Sequence, residues 1–130
     1  MDANPGSNPG RRAIEFRGGT MKLWIDDKRL PPDDSWTWAK TSAEAATLFL
    51  ENRVVEISFD HDLGGDDNPV RLADAIEEKA FWDELPRIKW AVHSGNPPGR
   101  DRIKRALERA DQHWEKNEFA YTCHLNEHTQ

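Results

Sequence analysis

The feature that most constrains this chain is the stretch Val54-Val55-Glu56-Ile57-Ser58-Phe59-Asp60-His61-Asp62-Leu63-Gly64-Gly65. An apolar run of strand formers halts at two carboxylates around an imidazole, and two glycines then let the backbone turn away. A strand that ends this way sets Asp60, His61 and Asp62 along the edge of a sheet. In an open α/β sheet, ligands bind at that edge, outside the carboxyl ends of the strands. Burying three ionisable groups without partners costs on the order of several kcal/mol, so they must face a cleft, a cation or one another.

The pattern recurs twice. Met21-Lys22-Leu23-Trp24-Ile25 runs straight into Asp26-Asp27, and Ile88-Lys89-Trp90-Ala91-Val92 runs into His93-Ser94. Neighbouring strands with such ends would gather Asp26, Asp27, Asp60 and Asp62. Like charges that close repel unless a proton or a divalent cation intervenes, and a hard, oxygen-seeking ion such as Mg²⁺ resolves the conflict. The bland alternative, unrelated turns rich in Asp, stays open on spacing alone.

Between these strands the chain reads as helix and loop. Pro31-Pro32 and Asp33-Asp34 make a loop of Lys28 to Ser35, and Trp36 to Lys40 alternates as a short strand. Thr41 with Glu44 forms a capping box for a helix to about Asn52, packing Ala45, Ala46, Leu48, Phe49 and Leu50 inward. Asn68 before Pro69 opens a second helix, predicted to reach about Leu85. Gly95 to Gly99 reads as a rigid turn. Ile103, Ala106, Leu107, Ala110 and Trp114 then define the clearest helix in the chain. Phe119 to Leu125 is predicted as a last edge strand. Short strands alternating with helices argue for a parallel sheet with helices on both faces.

The domain is expected over residues 21–125, with residues 1–20 a Gly-, Pro- and Asn-rich leader and 126–130 a frayed tail. Arg11, Arg12 and Arg17 in the leader read as solvated. Trp36 and Trp38 fit either core packing or stacking on a base. A formal net charge of -6, with no Lys/Arg block, argues against a duplex nucleic-acid binder. No apolar run approaches the ~20 residues of a membrane span. The single cysteine, Cys123, rules out an internal disulfide or a cysteine-based zinc site and fits a reducing cytoplasm. The oligomeric state is not legible.

An acidic pair after the first strand, an Asp after the third and a hydroxyl residue after the fourth resemble response-regulator receiver domains. Asp60 then stands at the phospho-acceptor position and Ser94 at the hydroxyl. The chain departs from that pattern: a Pro-rich loop replaces the first helix, no Lys follows a fifth strand, and His61 and His93 are added. With those departures it resembles the cyclic-phosphate processing receiver family, through Ile25-Asp26-Asp27, Pro31 to Trp36, Asp60 to Gly64, and His93-Ser94-Gly95-Asn96. The resemblance implies a flavodoxin- or receiver-like three-layer sandwich, a mostly parallel sheet of four or five strands in the order 2-1-3-4-5. It also implies a small phosphorylated ligand, a cyclic nucleotide or other cyclic phosphate.

The residues give that role a chemistry. Opening a phosphodiester needs a base, an acid and stabilisation of the phosphoryl charge. His61 and His93 are the expected acid and base, with Asp60 between them. Asp26, Asp27, Asp60 and Asp62 are the expected ligands of Mg²⁺ or Mn²⁺. Ser94, Asn96 and Arg100 are the expected substrate contacts. The competing expectations are a binding module without turnover and a phospho-accepting switch.

Overall fold

A computed structural model of the protein describes residues 19–95 and 97–128, excluding the side chains of residues 122–128. Seven elements follow one another: β1 (Thr20–Ile25), β2 (Trp36–Ala39), α1 (Ser42–Glu51), β3 (Arg53–Phe59), α2 (Val70–Phe81), β4 (Lys89–Val92) and α3 (Pro97–His128). The strands form one parallel sheet in the order β2-β1-β3-β4. This is a receiver-like α/β arrangement with four strands. Residues 1–18 of the expected leader lie outside the described residues, and Thr20 already belongs to β1.

Three sequence expectations are corrected here. The fifth strand over Phe119 to Leu125 is helical, because no turn or breaker interrupts the chain after Trp114 and α3 simply continues. The domain boundary expected at residue 125 therefore falls inside this helix. The second correction concerns the layers. The path β2-α1-β3-α2-β4 crosses the sheet in one direction, and right-handed crossovers then put α1 and α2 on the same face. α3 packs against α2, and its Asp111 accepts the indole N–H of Trp90 at 3.0 Å from that same side. All three helices lie over one face. With a loop in place of a helix between β1 and β2, nothing among the described residues forms a third layer.

The third correction is where helices end. α2 stops at Phe81, not Leu85, because Asp83 adopts φ 56°. The N–H of Asp83 bonds to the carbonyl of Ala80 and that of Glu84 to Lys79, a Schellman ending with Asp where glycine is usual. At the other end of α2, the Pro69 carbonyl accepts from Leu72 and Ala73, and Asn68 Oδ1 accepts from Val70. The cap is thus Pro69, one residue after Asn68. α3 begins at Pro97, so the Pro-Pro-Gly expected as a turn is its first turn. α1 starts as expected: Thr41 Oγ1 accepts the Glu44 N–H at 3.1 Å, while the Glu44 carboxylate reaches the N–H of Lys40. Leu50, expected inside, is exposed.

The core lies between the sheet and the helices. Leu23, Ile25, Ile57 and Phe59 meet Ala73, Ile76, Ile103, Leu107 and Ala110, all essentially inaccessible. Each large side chain there contributes about 1.5–3 kcal/mol. Trp114 closes the base of the core, donating its indole N–H to the Leu85 carbonyl at 2.8 Å.

The opposite face of the sheet carries Lys22, Trp24, Trp36, Trp38, Glu56 and Ser58. Strand β3 has one extra residue on this path: Met21 pairs with Val54 but Lys22 pairs with Glu56. The skipped residue, Val55, is exposed. This bulge turns both Val54 and Ile57 toward the helices, although three positions separate them.

Candidate functional site

The three strand ends predicted to converge do so by register. The N–H of Asp26 bonds to the Ala39 carbonyl at 3.0 Å, that of Asp60 to Ile25 at 2.9 Å and that of His93 to Phe59 at 2.8 Å. Each ladder runs one residue past its strand, so Asp26, Asp60 and His93 stand in a row across the carboxyl edge. Strand alternation turns all three toward the face without helices.

Asp26 is the anchor of the row and only 1% exposed. Its Oδ1 accepts the backbone N–H groups of Lys28 (2.8 Å) and Arg29 (2.9 Å), an Asx-type turn that starts the Pro-rich loop. Its Oδ2 lies 2.9 Å from His93 Nε2. Burial pushes this carboxyl up, but the N–H groups of Arg29 and Lys28, joined by His93, outweigh it and hold it below the usual range. Asp60 goes the other way. Burial raises it, the Asp26 charge raises it further, and a hydrogen bond with Ser94 and the nearness of His93 only partly offset this.

His93 is held on every side. Its Nδ1 is 2.7 Å from Ser58 Oγ, its Nε2 faces Asp26, and its ring stacks on Trp24 with centroids 3.9 Å apart and planes 4° apart. Burial lowers its basicity, and the pull of Asp26 and Asp60 does not restore it. A neutral imidazole satisfies both contacts, donating from Nε2–H to Asp26 and accepting the Ser58 hydroxyl at Nδ1. His93 was expected to exchange protons with a substrate; both its nitrogens are engaged inside the protein.

Asp27 completes the acidic group. Asp26, Asp27 and Asp60 each offer a carboxylate oxygen within 4.8 Å of the others. Asp62, expected as a fourth ligand, stands outside that group, largely exposed, with its Oδ1 3.1 Å from His61 Nδ1. Gly64 and Gly65 take φ 92° and 57°, which only glycine adopts readily. A Cβ on Gly64 would come within 3.4 Å of Asp27 Oδ2.

The cleft over this rim is lined by Asp26, Asp27, Lys28, Arg29, Asp60, Asp62, Gly64, Gly65, Ser94 and Gly95. Of the expected substrate contacts, Ser94 is there. Asn96 lies outside the described residues. Arg100 does not line the cleft; its guanidinium points to Asp101, 3.9 Å away. His61 does not line it either. Its ring lies so close to Gly99 that a Cβ there would sit 2.2 Å from His61 Cγ.

Two lining residues were given no role by the sequence reading. Arg29 donates from Nη1 to the His93 carbonyl at 3.0 Å, and its own carbonyl accepts the Trp24 indole N–H at 2.9 Å. Lys28 stands beside it. The available signal was a basic pair directly after an acidic pair, on a loop tied back to the strand that precedes it.

No helix among the described residues is long and apolar enough to cross a membrane. Comparison with curated proteins and with solved structures gave no match. Comparison with family models gave one, the cyclic-phosphate processing receiver domain, over residues 21–109. That span takes in all four strands, the whole acidic rim and the first turns of α3. The chain belongs to the cyclic-phosphate processing receiver domain family.

Proposed function

We propose that the rim binds a divalent cation, Mg²⁺ or Mn²⁺, and processes a cyclic or nucleotide phosphate held against it. The observation that carries this reading is the trio of carboxylate oxygens on Asp26, Asp27 and Asp60 within 4.8 Å of one another. An all-oxygen, triply acidic donor set suits a hard cation and is self-repelling without one. When bound, such a cation would polarise a phosphoryl oxygen and offset the charge developing there.

The chain's own residues supply the rest. Arg29 and Lys28 bring positive charge to the cleft mouth, where a guanidinium can take two phosphate oxygens at once. The Ser94 side chain, hydrogen-bonded to Asp60, is placed to reach a third. His93 fixes the Asp26 carboxylate; Asp62, which lines the cleft, is the acid–base group within reach of the ligand, with His61 hydrogen-bonded behind it.

A second reading, a module that binds a nucleotide phosphate without turning it over, is favoured by one observation. His93, half of the expected acid–base pair, has both nitrogens engaged by protein groups, Ser58 and Asp26. Incubation with 2′,3′- and 3′,5′-cyclic nucleotides and Mn²⁺, followed by phosphorus NMR, separates the two. Hydrolysis by the wild type that is lost in Asp60→Asn supports the enzyme. Binding with unaltered ligand supports the module, and neither binding nor turnover rejects both. Labelling of Asp60 by acetyl phosphate would instead assign a phospho-accepting switch.

A further inference from the structure

The proposed function leaves Trp36 and Trp38 without a role. Both are half-buried on the face of the sheet that no helix covers, so neither is needed to fill the core on the other side. Trp38 donates its indole N–H to the Asp26 main-chain carbonyl at 2.6 Å, which sets its ring directly beside the acidic row. Trp36 meets Trp24 edge-on with centroids 5.6 Å apart, and Trp24 stacks on His93. Aromatic surface thus runs without a break from the rim outward over the sheet.

Charge follows the same surface. The Lys40 ammonium stands 4.5 Å from the Trp38 ring centroid, and that of Lys22 stands 4.6 Å from Trp36. Lys40 is itself exposed, so the Trp38 face it covers lies at the protein surface. Lys40 and, at the cleft, Arg29 bring positive charge to this face of a chain whose net charge is -6, while Lys22 is paired with Glu56 at 3.9 Å.

We infer that Trp38, with Trp36 beside it, is the stacking platform for the base of a nucleoside phosphate whose phosphate group sits in the cleft. This rests on the phosphate site proposed above and extends it to a ligand class. Every base presents a π-face, so an indole platform prefers a nucleoside over a bare sugar phosphate without choosing among bases. A base settling on the Trp38 face that Lys40 covers must displace that ammonium.

Calorimetry on the full chain with Mn²⁺ compares 5′-AMP with ribose 5-phosphate, which lacks the base. The wild type is expected to bind 5′-AMP roughly ten- to a hundredfold more tightly. Trp38→Leu brings the ratio close to one, Trp38→Phe recovers part of it, and Trp36→Leu lowers it by less. Because the ratio is taken within each variant, damage to the cation site common to both ligands cancels. Equal affinities in the wild type, or an unchanged ratio in both Leu variants, overturn the platform and leave the phosphate site standing. Failure of both ligands to bind overturns the platform and the phosphate site together. A ratio of one in a protein that sediments as a dimer assigns the face to a second copy of the chain, and the platform is again rejected.

Discussion

His93 Nε2 and Asp26 Oδ2 lie 2.9 Å apart across the row of strand ends, one on either side of Asp60. The pair joins the outer strand β4 to the strand that carries the acidic anchor. A hydrogen bond to a buried carboxylate contributes about 1.5–3 kcal/mol. His93→Leu should lose that much stability in urea unfolding and weaken Mn²⁺ binding at least tenfold. His93→Gln, which can still donate to Asp26, should recover most of both. Loss of turnover in His93→Gln with cation binding intact would restore His93 to a direct chemical role.

Asp60→Asn should separate stability from cation binding. The Asp60 carboxyl is held above its usual range by burial and by Asp26, so removing its charge relieves repulsion. The metal-free variant should melt a few degrees higher at most, since solvent screens part of the effect. Saturating Mn²⁺ should stabilise the wild type by about 2.7 kcal/mol at a hundred times its Kd and leave Asp60→Asn nearly unmoved. Thermal melts with and without Mn²⁺ check both signs.

Gly99→Ala should cost stability even though alanine is the better helix former. The new Cβ would fall 2.2 Å from His61 Cγ, and overpacking of this kind costs about 1–3 kcal/mol, more than the ~1 kcal/mol gained in propensity. His61→Ala removes the obstacle, so the double variant should be more stable than Gly99→Ala alone. A double-mutant cycle in urea measures that coupling; purely additive effects would show that the ring moves away freely.

The acid limb of the stability profile should carry a signature of Glu118. Hydrogen bonds from Arg87, at 3.1 and 3.2 Å, hold its carboxyl below the ordinary glutamate range. The unfolded chain therefore takes up this proton first as pH falls. The contribution is fully present above about pH 4.5 and is lost as pH drops through the lower folded value. Unfolding free energies of wild type and Glu118→Gln should differ at pH 7 and converge as the pH falls below the folded-state value.

Much of the rim could be read from the chain, because the strands announce their own ends. In Ile25-Asp26 and Phe59-Asp60, a fully apolar strand residue gives way to a carboxylate in one step, and parallel pairing does the rest. The helix of Ile103, Ala106, Leu107, Ala110 and Trp114 was equally plain, since its whole buried stripe is apolar. What escaped was decided by contacts between distant parts. Phe119, Tyr121 and Thr122 favour a strand locally, but helix propagation from Trp114 overrides them. Asp83 ends α2 in a conformation that its side chain does not advertise. Arg29 enters the cleft only because Asp26 folds the loop back by gripping its N–H. That His93 is locked follows from Ser58 and Trp24, both on other strands.

The extra residue at Val55 carries a consequence for how this protein tolerates change in length. Upstream of it, odd-numbered Met21 lies opposite even-numbered Val54; downstream, Leu23 lies opposite Ile57. Deleting Val55 would leave Val54, Glu56 and Ile57 alternating regularly opposite Met21, Lys22 and Leu23, with Asp60 still alongside Asp26. The strand should thus tolerate the loss of a residue at this point, whereas a deletion between Glu56 and Phe59 would carry Asp60 out of line with Asp26.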